Sequence, residues 1–180
     1  MVAGLVTAGY SPVDDAISDL AAVGAPTRVA MTGGFVVFGL GLIAFGLALR
    51  YTLDGPAWIA AVVTGASTIA VAATPLGGWS GDWLHATFAG LGYASLVALP
   101  LLAAREFARA GWARWVAWSL TAAFVAATSL VASTFGIDHG LWQRVGLTAG
   151  DVWIVAVAAY TVATGAASSA PPGFEPGRTA

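Results

Sequence analysis

Five stretches of this chain, residues 30–49, 57–75, 84–103, 115–133 and 145–165, are too long and too apolar for a water-soluble fold. A hydrocarbon core of about 30 Å calls for roughly 20 apolar residues of helix. An open sheet edge has no hydrogen-bond partners in lipid, so these stretches are expected as helices. The fold class expected is all-α: a polytopic membrane helical bundle with five transmembrane helices. Composition agrees, with 58% hydrophobic and 9% charged residues, against about 25% charged in an ordinary soluble domain. No basic run argues for nucleic acid as a partner. The absence of Cys excludes disulfides, thiolate metal sites and Cys nucleophiles.

Charge is divided between the two sets of helix ends. With five spans, the 50–56 loop, the 104–114 loop and the C-terminal tail share one side, which holds Arg50, Arg105, Arg109, Arg114 and Arg178. The opposite side holds Arg28 and Arg144 beside Asp14, Asp15, Asp19, Asp82 and Asp138. These loops are short, so the positive-inside rule applies and makes the Arg-rich side cytoplasmic. The expected location is the cytoplasmic membrane, multi-pass, with a cytoplasmic C-terminus and the acidic loops outside. The tail 166–180, with Pro171, Pro172 and Pro176, reads as disordered.

Before the first full span the chain reads in two pieces. Residues 1–9 are too short for a span or a signal peptide and read as the end of a first transmembrane helix that is otherwise missing. Residues 10–165 then form the bundle, with an apolar groove expected beside 1–9. Ser11 is placed to cap a helix, Pro12 suits its first position, and Asp14 completes a capping-box spacing. Val13, Ile17 and Leu20 share a face at i, i+4, i+7. This pattern predicts a short amphipathic outer helix, lying on the membrane surface or folded over the helix ends.

Candidate site residues cluster at the acidic end. Asp82 and His85 are three apart and share a helix face, either as a ligand or acid–base pair or as a first-turn Asp with a solvated end residue. Asp138 reads as the N-cap of the last helix, with His139 and Gln143 four apart on one face. Trp79, Trp83 and Trp142 suit an aromatic belt. Arg144, Thr148 and Asp151 form a polar stripe down the last helix, with Asp151 about 10 Å deeper than Arg144 at about 1.5 Å per residue. An ionisable group at that depth costs several kcal/mol unless paired or wet, so Asp151 is expected to face the bundle interior. Its expected partners are Arg144, Thr148 or His85. The same stripe could serve as an interhelical clamp with no ligand. No phosphate loop, dinucleotide fingerprint or nucleophile elbow is present.

The order of these pieces resembles the bacterial and archaeal membrane family of unknown function numbered 998. The resemblance rests on Tyr10 with Ser18-Asp19-Leu20, Asp82 with His85, and Gly140-Leu141-Trp142-Gln143-Arg144 followed by Trp153. It implies a six-helix type from which this chain departs by lacking the first helix, and it implies no activity.

Three function classes follow. One is a binding or transport module whose outward polar site takes a lipid head group or small anion, with Arg144 as charge anchor. Another is an accessory subunit docking a partner helix or a second copy of the chain. The last is an intramembrane hydrolase using Zn²⁺, for which His85, His139 and Asp151 would be the ligands. No cofactor is expected in the first two, and membrane lipids are the expected surroundings in all three.

Overall fold

Gly39 and Gly65 face each other where the first two long helices cross. A Cβ on Gly39 would stand 2.7 Å from the Gly65 carbonyl oxygen, and one on Gly65 2.5 Å from that of Gly39. Only glycine lets the two backbones approach this closely, which is how helices gain packing energy in lipid. Gly34 and Gly41, on other faces of the same helix, meet open space.

The structure, a computed structural model, describes residues 2–136 and 138–168. These form α1 (Val2–Leu5), α2 (Arg28–Thr52), α3 (Ala57–Ala73), α4 (Asp82–Arg109), α5 (Ala113–Ala132) and α6 (His139–Ser168), with 3-10 turns at Ile17–Ala21 and Ser133–Phe135. No strand occurs among the described residues. Among the described residues four helical spans, Arg28–Thr52, Asp82–Arg109, Ala113–Phe135 and His139–Ala163, are long and apolar enough to cross a bilayer, making this a multi-pass membrane protein. α3 has 17 residues and rises about 26 Å; Pro75, which disfavours a helical conformation at Thr74, ends it. Of the tail expected from residue 166, α6 takes the first part, and 169–180 lie outside the described residues.

α4 departs from expectation at its far end. It runs on to Arg109, where the sequence predicted a loop over 104–114. Pro100 lies inside it, nearly fully buried, and the helix continues past it. Gly111, at φ 74°, then turns the chain into α5.

From α2 to α6 successive helices pack against one another, and α4 also touches α6. No extensive interface joins α2 to α6 among the described residues. The buried core contains Leu42, Leu49, Ala57, Ala61, Leu99, Ala103, Phe107, Trp153 and Val157. These positions fall in the C-terminal halves of α2 and α4, the start of α3 and the middle of α6, so the core fills the half of the bundle that ends at Arg50 and Arg114. The other half is built differently.

Residues 11–16 do not form the expected amphipathic helix. They make a turn, followed by the 3-10 turn Ile17–Ala21. Asp15 Oδ2 accepts from the Ser11 N–H at 2.7 Å and Asp19 Oδ2 from the Ala16 N–H at 2.8 Å. Short acidic side chains that bond backbone N–H groups in this way compete with a continuing helix. The carbonyls that a helix would use are also taken from outside: Val13 by the Leu141 N–H, Pro12 and Asp15 by Arg144, and Ala16 by Tyr10. The segment therefore folds over the helix ends, and Leu20 is buried there.

Candidate functional site

Beneath this segment lies a cavity of about 390 Å³, between α2 and α6 and walled by α3 and α4. The volume lies within the range usual for small-molecule sites, about 300–1,000 Å³. Its wall is mostly apolar, with Phe35 and Phe38 from α2, Phe88 from α4 and Leu147 from α6. Polar groups interrupt that wall from several elements: Thr64, Ser67 and Thr68 of α3, His85 and Tyr93 of α4, and Gln143, Thr148 and Asp151 of α6.

Arg144 closes the outer end. Its Nη1 donates to the carbonyls of Pro12 at 2.7 Å, Asp15 at 3.0 Å and Gly140 at 2.8 Å, and its Nη2 donates to the Tyr10 hydroxyl. The guanidinium carbon also lies 5.7 Å from the centroid of the Tyr10 ring. Tyr10 in turn donates to the Ala16 carbonyl at 3.0 Å. Burial pushes the Tyr10 phenol up from its ordinary range, Arg144 pulls it the other way, and the Asp19 and Asp15 carboxylates add to the rise. Gly140 is required here, because a Cβ would run into the Asp15 carbonyl and the guanidinium itself.

Gln143 makes the second tie. It is buried, its Oε1 accepting from the Ile17 N–H at 2.8 Å and its Nε2 donating to the Tyr93 hydroxyl at 2.6 Å. Two adjacent residues of α6 thus pin residues 10–17 across the bundle's end.

Asp151 faces the interior cavity, as its depth in the helix demanded, but it is not held as expected. Neither Arg144, Thr148 nor His85 hydrogen-bonds it, because Arg144 is turned outward to the terminal segment. Among the described residues no protein group hydrogen-bonds this carboxylate. Two turns of helix keep it from the guanidinium, and the cavity lies in front of it. Thr148 also lines the cavity.

The Asp82–His85 pair serves the 74–82 loop. Asp82 Oδ1, on an exposed residue, accepts from the Gly77 N–H at 2.8 Å. His85 is buried and its Nδ1 lies 2.7 Å from the Thr74 carbonyl. A carbonyl oxygen only accepts, so Nδ1 carries the proton and, in the neutral ring, Nε2 keeps the lone pair. His85 lines the cavity whereas Asp82 does not.

His139 stands apart. Its Nδ1 is 2.6 Å from the Ser133 carbonyl, and it does not line the cavity. The set His85, His139 and Asp151 is therefore not brought together, and among the described residues no three His, Asp or Glu side chains cluster at ligand spacing. Asp138, at φ 50°, accepts the first helical bond of α6 through its carbonyl, from the Trp142 N–H at 3.1 Å, in keeping with its N-cap position. Trp79, Trp83 and Trp142 are exposed at this end of the bundle.

Several cavity residues escaped the sequence reading. Thr64, Ser67 and Thr68 recur at helical spacing within an apolar span, a polar stripe that was visible in the sequence. Thr64 Oγ1 meets Ser95 Oγ at 2.9 Å, joining α3 to α4. Tyr93 carried no such signal, since a single Tyr in an apolar helix reads equally well as packing.

Among curated proteins and solved structures, none matches this chain. A family model does, over residues 1–160, nearly the whole of the described bundle. The chain belongs to the family described as protein of unknown function DUF998.

Proposed function

We propose that the outer half of the bundle binds an amphiphile, with a lipid head group among the polar residues and its tail along the aromatic and aliphatic wall. The observation that carries this reading is the cavity itself. It lies between α2 and α6, with Ala3 and Gly4 of α1 also in its lining, and joins polar side chains of three helices to an apolar wall where, among the described residues, no extensive α2–α6 contact fills the space. Of the two ligands the sequence suggested, the head group is favoured over a small anion. The guanidinium expected to anchor an anion is engaged by three carbonyls and a phenol, and the cavity's own charged group is a carboxylate. A hydrolase built on His85, His139 and Asp151 draws no support from their separation.

In this reading α3 is a fifth, short crossing. The end carrying Asp14, Asp15, Asp19, Asp82 and Asp138 faces out, and the end carrying Arg50, Arg105, Arg109 and Arg114 faces the cytoplasm. Single Cys residues at Gly78 and Arg109, probed in intact cells with an impermeant thiol reagent, test the orientation. Gly78→Cys should label and Arg109→Cys should not; the reverse pattern inverts the site.

Native mass spectrometry from mild detergent tests the binding. Wild-type protein should retain one amphiphile per chain, and Ala89→Trp, which fills the cavity from α4, should lose it while remaining folded. Equal retention by both proteins, or none by either, would overturn the reading.

A further inference from the structure

The cavity's charge is unbalanced. Its ionisable lining residues are Tyr10 from the terminal segment, His85 and Tyr93 from α4, and Arg144 and Asp151 from α6; α2 and α3 contribute none. Arg144 is spent at the outer rim, on backbone carbonyls and Tyr10, with Asp15 and Asp19 nearby. His85 gives its Nδ1 proton to Thr74, and Tyr93 accepts from Gln143. Among the described residues Asp151 has no such partner, and it lies about 10 Å further along the helix than Arg144. A carboxylate held at that depth costs several kcal/mol unless something positive or hydrogen-bonding faces it.

Resting on the amphiphile reading, we infer that the ligand carries a positively charged head, an ammonium group, for which Asp151 is the counter-charge. The surrounding chemistry fits that class. Phe35, Phe38, Phe88 and Tyr93 line the same cavity as Asp151, and aromatic faces attract an ammonium through the ring quadrupole. Thr148, Ser67 and Thr68 add hydroxyl oxygens, which serve as acceptors for any N–H the head presents. An anionic head would meet Asp151 without a free cation to offset it. The apolar wall separates an amphiphile from a free small cation, since each methylene of a buried chain adds to the binding.

The test uses full-length protein in micelles of the uncharged detergent dodecyl maltoside and radiolabelled decyltrimethylammonium as probe, with decyl sulfate, decanol and tetramethylammonium as competitors. Decyltrimethylammonium should bind saturably, at least tenfold tighter than decanol or decyl sulfate and at least a hundredfold tighter than tetramethylammonium. Asp151→Asn should lower its affinity to that of decanol while decanol binding is unchanged, and Asp151→Glu should restore most of the preference. Decanol binding as tightly as the ammonium compound, or Asp151→Asn retaining the preference, would overturn the charge assignment and leave the amphiphile reading standing. Tetramethylammonium competing as well as the long-chain compound would instead overturn the amphiphile reading. Saturable binding by none of the probes would overturn both.

Discussion

Trp153 and Arg144 stand nine residues apart on one helix, yet they hold the protein together by opposite means. Trp153 is fully buried in the inner core and donates its indole N–H to Ser119 Oγ at 2.8 Å, joining α6 to α5. Around it lie Leu49, Leu99, Ala103 and Val157, with Trp115 packed beside them. Arg144 touches little of the core. It reaches back to a segment some 130 residues earlier in the chain and holds it by hydrogen bonds. The half that ends at Arg50 and Arg114 is secured by packing, and the space left there beside Phe107 and Trp115, about 60 Å³, is small against the 390 Å³ of the other half. The outer half is secured by a clasp across its end, so the space beneath it need not be filled by side chains.

Breaking the inner half should cost most. Trp153→Ala removes a large buried side chain and leaves Ser119, itself buried, without its donor. The expected loss is about 3–5 kcal/mol, read from unfolding in mixed micelles. A loss below about 1 kcal/mol would mean that the core does not carry the fold.

The clasp should yield next. Arg144→Ala deletes charge-assisted bonds to three carbonyls and a phenol, and each such bond contributes about 1.5–3 kcal/mol at most. Because the segment can detach by itself, we expect a loss of about 2–3 kcal/mol in global stability and a much larger rise in proteolysis within residues 10–20. Arg144→Lys should recover little, since one ammonium lacks the guanidinium's spread of donors. Unchanged protease resistance in Arg144→Ala would remove the clasp from the account.

The independence of clasp and cavity gives a sharper test. Arg144 and Asp151 share no hydrogen bond, so Arg144→Met and Asp151→Leu should add to within about 0.5 kcal/mol in the double variant. Asp151→Asn alone should raise the stability of the ligand-free protein, because it removes a carboxylate that no described protein group hydrogen-bonds. Strong coupling in the cycle would restore the pair that the sequence suggested.

The smallest effect expected is a pH response at Tyr10. Its phenol is raised above the ordinary value, so the folded state prefers the neutral form. That contribution is complete below the unfolded value of about 10 and is lost as pH rises through the folded one. Protease access to residues 10–20 should therefore increase above about pH 10, and this step should be absent in Tyr10→Phe. A step at neutral pH would point to a different group.

The location of the long apolar helices was legible from hydropathy alone, because a bilayer leaves the backbone no alternative. So was the inward face of Asp151, because lipid penalises a carboxylate that points outward. Segment 11–20 was misread as an amphipathic helix, since its spacing of Val13, Ile17 and Leu20 fits one. Its carbonyls are claimed by Tyr10 just before it and by Arg144 and Leu141 of α6, and the competition from those two exists only after α6 has come alongside. α4 was cut short because charge at Arg105 resembles a loop, whereas Glu106 is buried and bonded to Arg109 at 2.6 Å within the continuing helix. The partner of Arg144 and the separation of His139 from His85 are properties of the same kind. Burial cost is paid residue by residue and so can be read along the chain, while a hydrogen bond needs two groups whose distance is set by every helix packed between them.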